Sequence, residues 1–323
     1  MKPRVLAGLD IGGTKCAVSI GRTTGETMEV LGKEQFPTPA TPEEAIERLE
    51  EGLDRLLESL GIDTIDSIGV SCGSPLDSRR GLILSPPNLP NWEHVDILSP
   101  FKQKYGVPVG LQNDANACAL AEWKWGAGRG ARNMIFLTFG TGMGAGLILD
   151  GRLYTGTNDM AGEVGHIRLE HDGPLGYGKL GSFEGFCSGG GIARLAQAMA
   201  AEALNEGKSP SFCETKDDLA DITAKKVGQA AQAGDELALK VYETVGRQLG
   251  KGLSILVDIL NPEKIVIGSI YPRQQAILEP FVMEELEKEA LELTRSVCKI
   301  VPAGLGESIG DAASLSVALN TID

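Results

Sequence analysis

Val5–Ile20 reads Val-Leu-Ala-Gly-Leu-Asp-Ile-Gly-Gly-Thr-Lys-Cys-Ala-Val-Ser-Ile, and the reading of this stretch decides the fold. An apolar run ends at Asp10, the chain turns at Gly12-Gly13-Thr14, and a second apolar run departs after Lys15. Two apolar runs around a glycine-rich turn spell a β-hairpin. Glycine lets the backbone approach a phosphate closely, and successive N–H groups in such a turn form an anion-binding nest. Asp10 closes the first strand, where a carboxylate can hold a hydrated Mg²⁺ beside those phosphates. A plain hairpin turn satisfies the same letters.

Residues 134–150 repeat the plan: Met-Ile-Phe-Leu-Thr-Phe, then Gly140-Thr141-Gly142-Met143-Gly144, then Ala-Gly-Leu-Ile-Leu-Asp. Two such units in one chain predict duplicated halves that face one nucleotide from two sides. No G-x-x-x-x-G-K-[ST] occurs, so neither turn is a Walker loop. Both turns lead into strands rather than helices, which disfavours a Rossmann turn.

A chain of 323 residues predicts two domains with ample core. Hydrophobic residues make up 42% and charged residues 23%, the mix of an ordinary globular protein. A net charge of −14 argues against a nucleic-acid or anionic-membrane surface. Met1-Lys2-Pro3-Arg4 runs straight into the first strand, which leaves no room for a signal peptide, and no apolar run is long enough to span a bilayer. Six scattered cysteines without a C-x-x-C pair read as small core residues and fit a reducing cytoplasm.

Beyond the first hairpin, 28–36 reads as a strand, and a helix runs from about Pro42 to Gly61 with Ile46, Leu49, Leu53, Leu56, Leu57 and Leu60 on its apolar face. A buried strand at 67–71, a proline-rich loop at 78–92, a short helix at 96–105 and a strand at 107–111 follow. Asn113-Asp114-Ala115-Asn116 marks the junction of that strand with a helix over 117–125, and Gly126–Gly130 marks a change of domain. Gly162-Glu163-Val164-Gly165-His166 is expected to lead into a strand, and the glycine-rich stretch 173–191 to open a helix near Ile192. A long helix ends at Asn261-Pro262, a strand spans 264–267, the glutamates of 284–292 fall on a solvated helix face, and a last strand at 299–302 precedes a closing helix over 307–319. Strands alternating with helices predict an α/β fold.

Five motifs occur in order: Asp-Ile-Gly-Gly-Thr-Lys, Pro-Pro-Asn-Leu-Pro-Asn-Trp, Asn-Asp-Ala-Asn, Phe-Gly-Thr-Gly-Met-Gly and Gly-Glu-Val-Gly-His. Through them nearly the whole chain resembles the ROK family of sugar kinases and sugar-responsive repressors, bacterial glucokinases among them. The resemblance implies the actin-like ATPase (ribonuclease H-like) fold, with two α/β domains around a central cleft. The domains expected are 1–125, joined by the C-terminal helix 303–323, and 126–302.

Phosphorylating a sugar hydroxyl needs a base at the nucleophile, a metal on the phosphates and positioning of both substrates. Asp114 is the candidate base, since a helix N-terminus keeps a carboxylate ionised. The commoner use of Asn113 or Asp114 there is to cap the helix. By the resemblance, Asn88, Asn113, Glu163, His166 and Glu184 hydrogen-bond the sugar, a polyol that needs matched donors and acceptors. Gly12, Gly13, Thr14, Lys15, Gly140, Thr141 and Gly142 would surround the ATP phosphates, with Asp10 on Mg²⁺ through water. Gly268 falls where the family contacts adenosine, although the family usually has two glycines there and this chain has Gly268-Ser269.

Family members commonly carry Cys-x-Cys-Gly-x-x-Gly-Cys-x-Glu, whose cysteines join a histidine on a structural zinc. Here Leu175, Tyr177 and Ser182 occupy the thiolate positions, while the glycine frame and Glu184 remain. Leucine cannot ligate and a Tyr/Ser pair is a poor zinc site, so no structural zinc is expected.

These readings converge on an ATP- and Mg²⁺-dependent hexose kinase acting on the 6-hydroxyl. Glucose is the default substrate; N-acetylmannosamine, N-acetylglucosamine, mannose, allose and fructose stay open. The alternative is a non-catalytic sugar sensor without a DNA-binding domain, because only four residues precede Val5. An actin-like or chaperone-like ATPase has no use for the sugar-contact set. The expected partners are a small-molecule sugar and a second copy in a homodimer, with no nucleic acid or membrane, in the cytoplasm.

Overall fold

In the computed structural model, which describes residues 3–323, Arg4–Ile11 (β1) and Lys15–Thr23 (β2) form the antiparallel hairpin that the glycine turn demands, Ile11 opposite Cys16. Met28–Pro37 (β3) extends it, with a register shift between Ile20 and Gly21. Pro42–Leu60 (α1) starts at Thr41, whose side chain accepts the Glu44 N–H, and stops at Gly61 in the left-handed conformation. Leu49 and Leu53 form its fully buried stripe. Ser67–Cys72 (β4) runs parallel to β1, and after Ser99–Tyr105 (α2) the strand Val109–Asn113 (β5) runs parallel to β4. Every residue of β4 is buried, as expected of a parallel strand covered on both faces. Asp114–Trp125 (α3) follows at once.

The second half repeats this grammar. Met134–Phe139 (β6), Met143–Leu149 (β7) and Arg152–Tyr154 (β8) are its first three strands. Helices follow at Phe183–Phe186 (α4), Gly189–Asn205 (α5), Ala224–Gln232 (α6) and Glu236–Leu260 (α7). Lys264–Ile267 (β9), Ile270–Glu289 (α8), Glu292–Val297 (α9), Lys299–Pro302 (β10) and Ile309–Ile322 (α10) complete the chain. The two five-stranded sheets are ordered β3-β2-β1-β4-β5 and β8-β7-β6-β9-β10, and the proline-rich loop carries a small three-stranded sheet of residues 76–77, 82–83 and 95–96. In each, the first strand has its hairpin partner on one side and a parallel strand on the other. This is the α/β, actin-like (ribonuclease H-like) arrangement.

The chain divides into two compact units, one of Met1–Arg132, Gly146–Ala161 and Gly304–Asp323, the other of Asn133–Ala145 and Gly162–Ala303. Within the first unit, α10 lies directly on the sheet. A Cβ on Gly8 would sit 2.3 Å from Ser314 Oγ, and one on Gly69 would sit 2.2 Å from the Ala318 nitrogen. Ser67 Oγ donates to the Ala318 carbonyl at 2.7 Å. Glu122, fully buried in α3, accepts the N–H groups of Ala127, Gly304 and Leu305 at 2.7–3.0 Å. One carboxylate thereby holds both the segment that leaves α3 and the segment that returns before α10.

Several element boundaries move from where the sequence suggested. Residues 164–166 form a 3₁₀ turn, and only an isolated bridge between Arg168 and Ser182 follows where a strand was expected. α3 begins at Asp114 and α5 at Gly189, each about three residues early, because Asn113 and Ser188 cap them with side-chain oxygens. Glu285 is not on a solvated face: it is buried and pairs with Lys288 and Arg247. All six cysteines are free. Among the described residues no helix is long and apolar enough to cross a membrane.

Candidate active site

In the first unit, Gly12, Gly13 and Thr14 bridge β1 and β2, and the Gly12 N–H donates to the Lys15 carbonyl at 3.1 Å. Thr38, just past β3, clamps this turn: its Oγ1 donates to the Gly12 carbonyl at 2.6 Å and its N–H to the Thr14 carbonyl at 3.1 Å. Gly13, Thr14 and Lys15 are exposed. Gly13 must be glycine, because a Cβ there would lie 2.5 Å from the Asn88 carbonyl oxygen. The proline-rich loop therefore lays Asn88 across the turn, anchored by the buried side chains of Leu89 and Trp92.

Asp10 is half-buried near the end of β1. Burial, reinforced by the negative charges of Asp114 and Asp311, pushes its carboxyl up to about 6 against the pull of Lys15 and Lys33. Asp311, in the first turn of α10, and Lys33, in β3, form an ion pair; neither figured among the candidate residues.

At the β5–α3 junction Asn113 and Asp114 divide their labour. Asn113 is the cap, its Oδ1 accepting the Asn116 N–H at 2.7 Å. Asp114 is the first helical residue, and its Oδ1 accepts the Ala115 N–H at 2.8 Å. Asp114 is exposed by area yet walled by protein on its other sides, so desolvation raises its carboxyl while the N–H groups of Ala115 and Asp114 lower it. The open side limits the size of that rise.

In the second unit, the Gly140 N–H donates to the Gly142 carbonyl at 3.1 Å, and Thr138 Oγ1 accepts the Gly144 N–H at 2.8 Å. The Gly189 N–H, at the start of α5, donates to the Gly140 carbonyl at 2.7 Å. Glu184, in α4, accepts the Met143 N–H at 3.0 Å, and a Cβ on Gly142 would lie 2.9 Å from its Oε2. Glu184 thus rests on the 140–143 turn.

Glu163 precedes and His166 ends the 3₁₀ turn of Val164–His166, and both side chains are exposed. That turn packs on the same place: a Cβ on Gly165 would meet the Met143 carbonyl at 2.2 Å and Glu184 Cβ at 3.2 Å. Gly268 donates its N–H to the Leu137 carbonyl at 3.0 Å, beside Gly140. Ser269 follows at φ 56°, and its Oγ would stand 3.3 Å from a Cβ on Gly140.

The segment with the altered thiolate positions is a small hairpin, Leu175–Gly176 against Lys179–Leu180. Leu175 and Tyr177 are exposed, and the Tyr177 ring meets His166 edge-on at 6.4 Å. Ser182 is fully buried and caps α4. Cys187, also fully buried, points its Sγ at the Val245 carbonyl. Among the described residues no three His, Cys, Asp or Glu side chains converge as metal ligands. The donors around His166 do not fit a zinc ion.

With this geometry in place, the comparison with known proteins is specific. The model of the ROK family matches residues 6–318. A glucokinase of Halalkalibacterium halodurans is 33% identical over 317 residues, covering 96% of this chain and 93% of that one. A ROK family glucokinase from Streptomyces griseus, solved in complex with glucose and AMPPNP, superposes with a TM-score of 0.75 at 27% identity over 98% of this chain and 99% of that one. A ROK hexokinase from Thermus thermophilus gives 0.77 at 28% identity over 98% of both chains.

Proposed function

The chain belongs to the ROK family, and we propose that it is an ATP-dependent hexose kinase that phosphorylates the 6-hydroxyl of a sugar, glucose being the first candidate. The observation that carries this reading is the meeting of Asp10, Asp114 and Asn88 around the Gly12–Lys15 turn. The glucokinase relatives and a neighbour holding glucose and AMPPNP support the same substrate pair.

In this reading Asp114 accepts the proton of the attacking hydroxyl. Its raised carboxyl suits that task, because a base works best when its pKa lies near the working pH. Asn113, its Oδ1 engaged as a cap, offers its amide Nδ2 to a sugar oxygen. Glu163, His166 and Glu184 supply donors and acceptors for the remaining hydroxyls. The N–H groups of Gly13, Thr14, Thr141 and Gly142, with the Lys15 ammonium, hold phosphate oxygens, Gly12 and Gly140 brace the two turns through their own N–H groups, and Gly268 leaves room for the adenosine. Asp10 suits a water-bridged Mg²⁺, since its carboxyl already sits among like charges that a cation would relieve. Mg²⁺ bound with ATP draws charge from the transferring phosphoryl group. A homodimer in the cytoplasm is part of the proposal by family analogy.

The test is ADP release with ATP and Mg²⁺ across glucose, mannose, allose, fructose, N-acetylglucosamine and N-acetylmannosamine. Sugar-dependent turnover confined to one or two of them is the expected result. Thermal stabilisation by a sugar without turnover would overturn the kinase in favour of the sensor.

A further inference from the structure

We propose that Ser182 is a positioning residue that sets Glu184 in place through the hydrogen bonds of its hydroxyl. The proposal rests on the reading of Glu184 as a sugar contact. Ser182 Oγ accepts the Gly185 N–H at 3.1 Å and donates to the Gly176 carbonyl at 3.4 Å. The same hydroxyl therefore caps the turn that carries Glu184 and joins that turn to the 175–180 hairpin. It does so in a fully buried position, where an unmet N–H is costly.

The surrounding contacts leave Glu184 little freedom. Phe183 is fully buried against α7, where a Cβ on Gly252 would lie 2.4 Å from its ring. Its N–H donates to the Ile167 carbonyl at 2.8 Å. Lys179 Nζ reaches the His166 carbonyl and Arg168 the Leu180 carbonyl, both at 2.7 Å, so the hairpin is stitched to the His166 turn from two sides. Glu184 then delivers its Oε2 to the Met143 N–H. A shift of α4 would move the sugar-facing carboxylate and release that N–H of the phosphate turn together. Ser182 stands at the position of a family thiolate, and its hydroxyl supplies a local tie that needs no ion.

A double-mutant cycle tests this. Glu184→Gln is expected to raise the sugar KM. Ser182→Ala is expected to raise it roughly fivefold or more, the scale of a lost cap, with the KM for ATP rising in parallel and kcat at saturation nearly unchanged. The double variant should be no worse than Glu184→Gln alone, because both changes act through one carboxylate. Ser182→Thr, which keeps the hydroxyl, should restore the sugar KM. Ser182→Cys, close in volume but a poor acceptor, gives the same reading if the alanine variant does not fold. A Ser182→Ala protein that melts earlier with both KM values unchanged would overturn the proposal, as would full additivity in the double variant. An unchanged sugar KM in Glu184→Gln would sink the sugar reading of Glu184 itself, which separates the two failures.

Discussion

Around Gly12-Gly13-Thr14, which the Thr38 hydroxyl clamps, charged side chains gather: Asp10, Asp114 and Asp311 against Lys15 and Lys33. Around Gly140-Thr141-Gly142 the turn is held by the Gly189 N–H, by the Thr138 hydroxyl and by a single carboxylate, Glu184, which accepts a backbone N–H. The letters of the two turns are nearly the same, and the sheets behind them share one strand order. What differs is whether the enclosing charges are balanced. In the first unit three carboxylates face two ammonium groups, an excess of carboxylates beside the turn. In the second unit one oxygen of Glu184 accepts a backbone N–H and ties that carboxylate to the turn. The two turns share a backbone device on sheets of one strand order, and the side chains brought to each differ.

The sharpest break of this comparison is at the two carboxylates. Asp114→Asn should lower kcat by roughly a hundredfold or more, the scale of lost general-base catalysis, while sugar binding measured by calorimetry is retained. Glu184→Gln, its counterpart in the second unit, should act on KM instead. A kcat close to wild type in Asp114→Asn removes Asp114 from the mechanism and with it the assignment of chemistry to the first unit.

The glycines sharpen it further. Ala at position 13 drives a Cβ into the Asn88 carbonyl, which is backbone and cannot swing aside, whereas Ala at 142 meets the end of the Glu184 side chain. Gly13→Ala should therefore cost roughly tenfold to a hundredfold in kcat/KM, as small displacements at a reacting centre do. Gly142→Ala should cost several-fold less, mostly in the sugar KM. Equal losses would mean that the two turns are enclosed with the same rigidity.

Acid titration separates the turns as well. Asp10 is raised from an ordinary value of 3.8 to about 6 in the folded protein. The folded state then binds the proton more tightly than the unfolded one, so the stability from this group is complete below pH 3.8 and is lost as the pH rises through about 6. Asp10→Asn, neutral throughout, should melt above wild type at pH 7–8, with the difference vanishing towards pH 4. In an Asp114→Asn background the midpoint of that difference should move down, since one of the charges that raises Asp10 is gone. A melting difference independent of pH would place the stabilisation elsewhere.

The parts of this site legible in the sequence are those that neighbours along the chain create. The Asp10–Lys15 turn, the Gly140–Gly142 turn and Asp114 at a strand–helix junction follow from apolar runs broken by glycine or by a capping residue. Thr38, Lys33 and Asp311 did not follow, because only the pairing of β3 with β2 and the docking of α10 bring them to the first turn. Gly8 and Gly69 carried a trace of that docking: glycines inside buried strands mark where another backbone comes close. The strand expected after His166 failed for a similar reason. Gly162 and Gly165 lie against the carbonyls of Ala145 and Met143, and that approach bends the chain where alternation alone suggested extension.

The smallest expected effect concerns Ser269, which stands where the family usually has a second glycine. Its φ of 56° with ψ of −99° lies where an L side chain is strained and glycine is not. Ser269→Gly should therefore stabilise the protein by about 1 kcal/mol in denaturant titration, the scale of relieving such strain. The strained residue also places a hydroxyl close to Gly140. If that hydroxyl gives the second turn a side-chain donor besides Thr138, the same substitution raises the KM for ATP a few-fold. Stability and affinity then move in opposite directions from one atom group. A gain in stability with the KM for ATP unchanged would show strain without a use, and would leave the second turn held by backbone, Thr138 and Glu184.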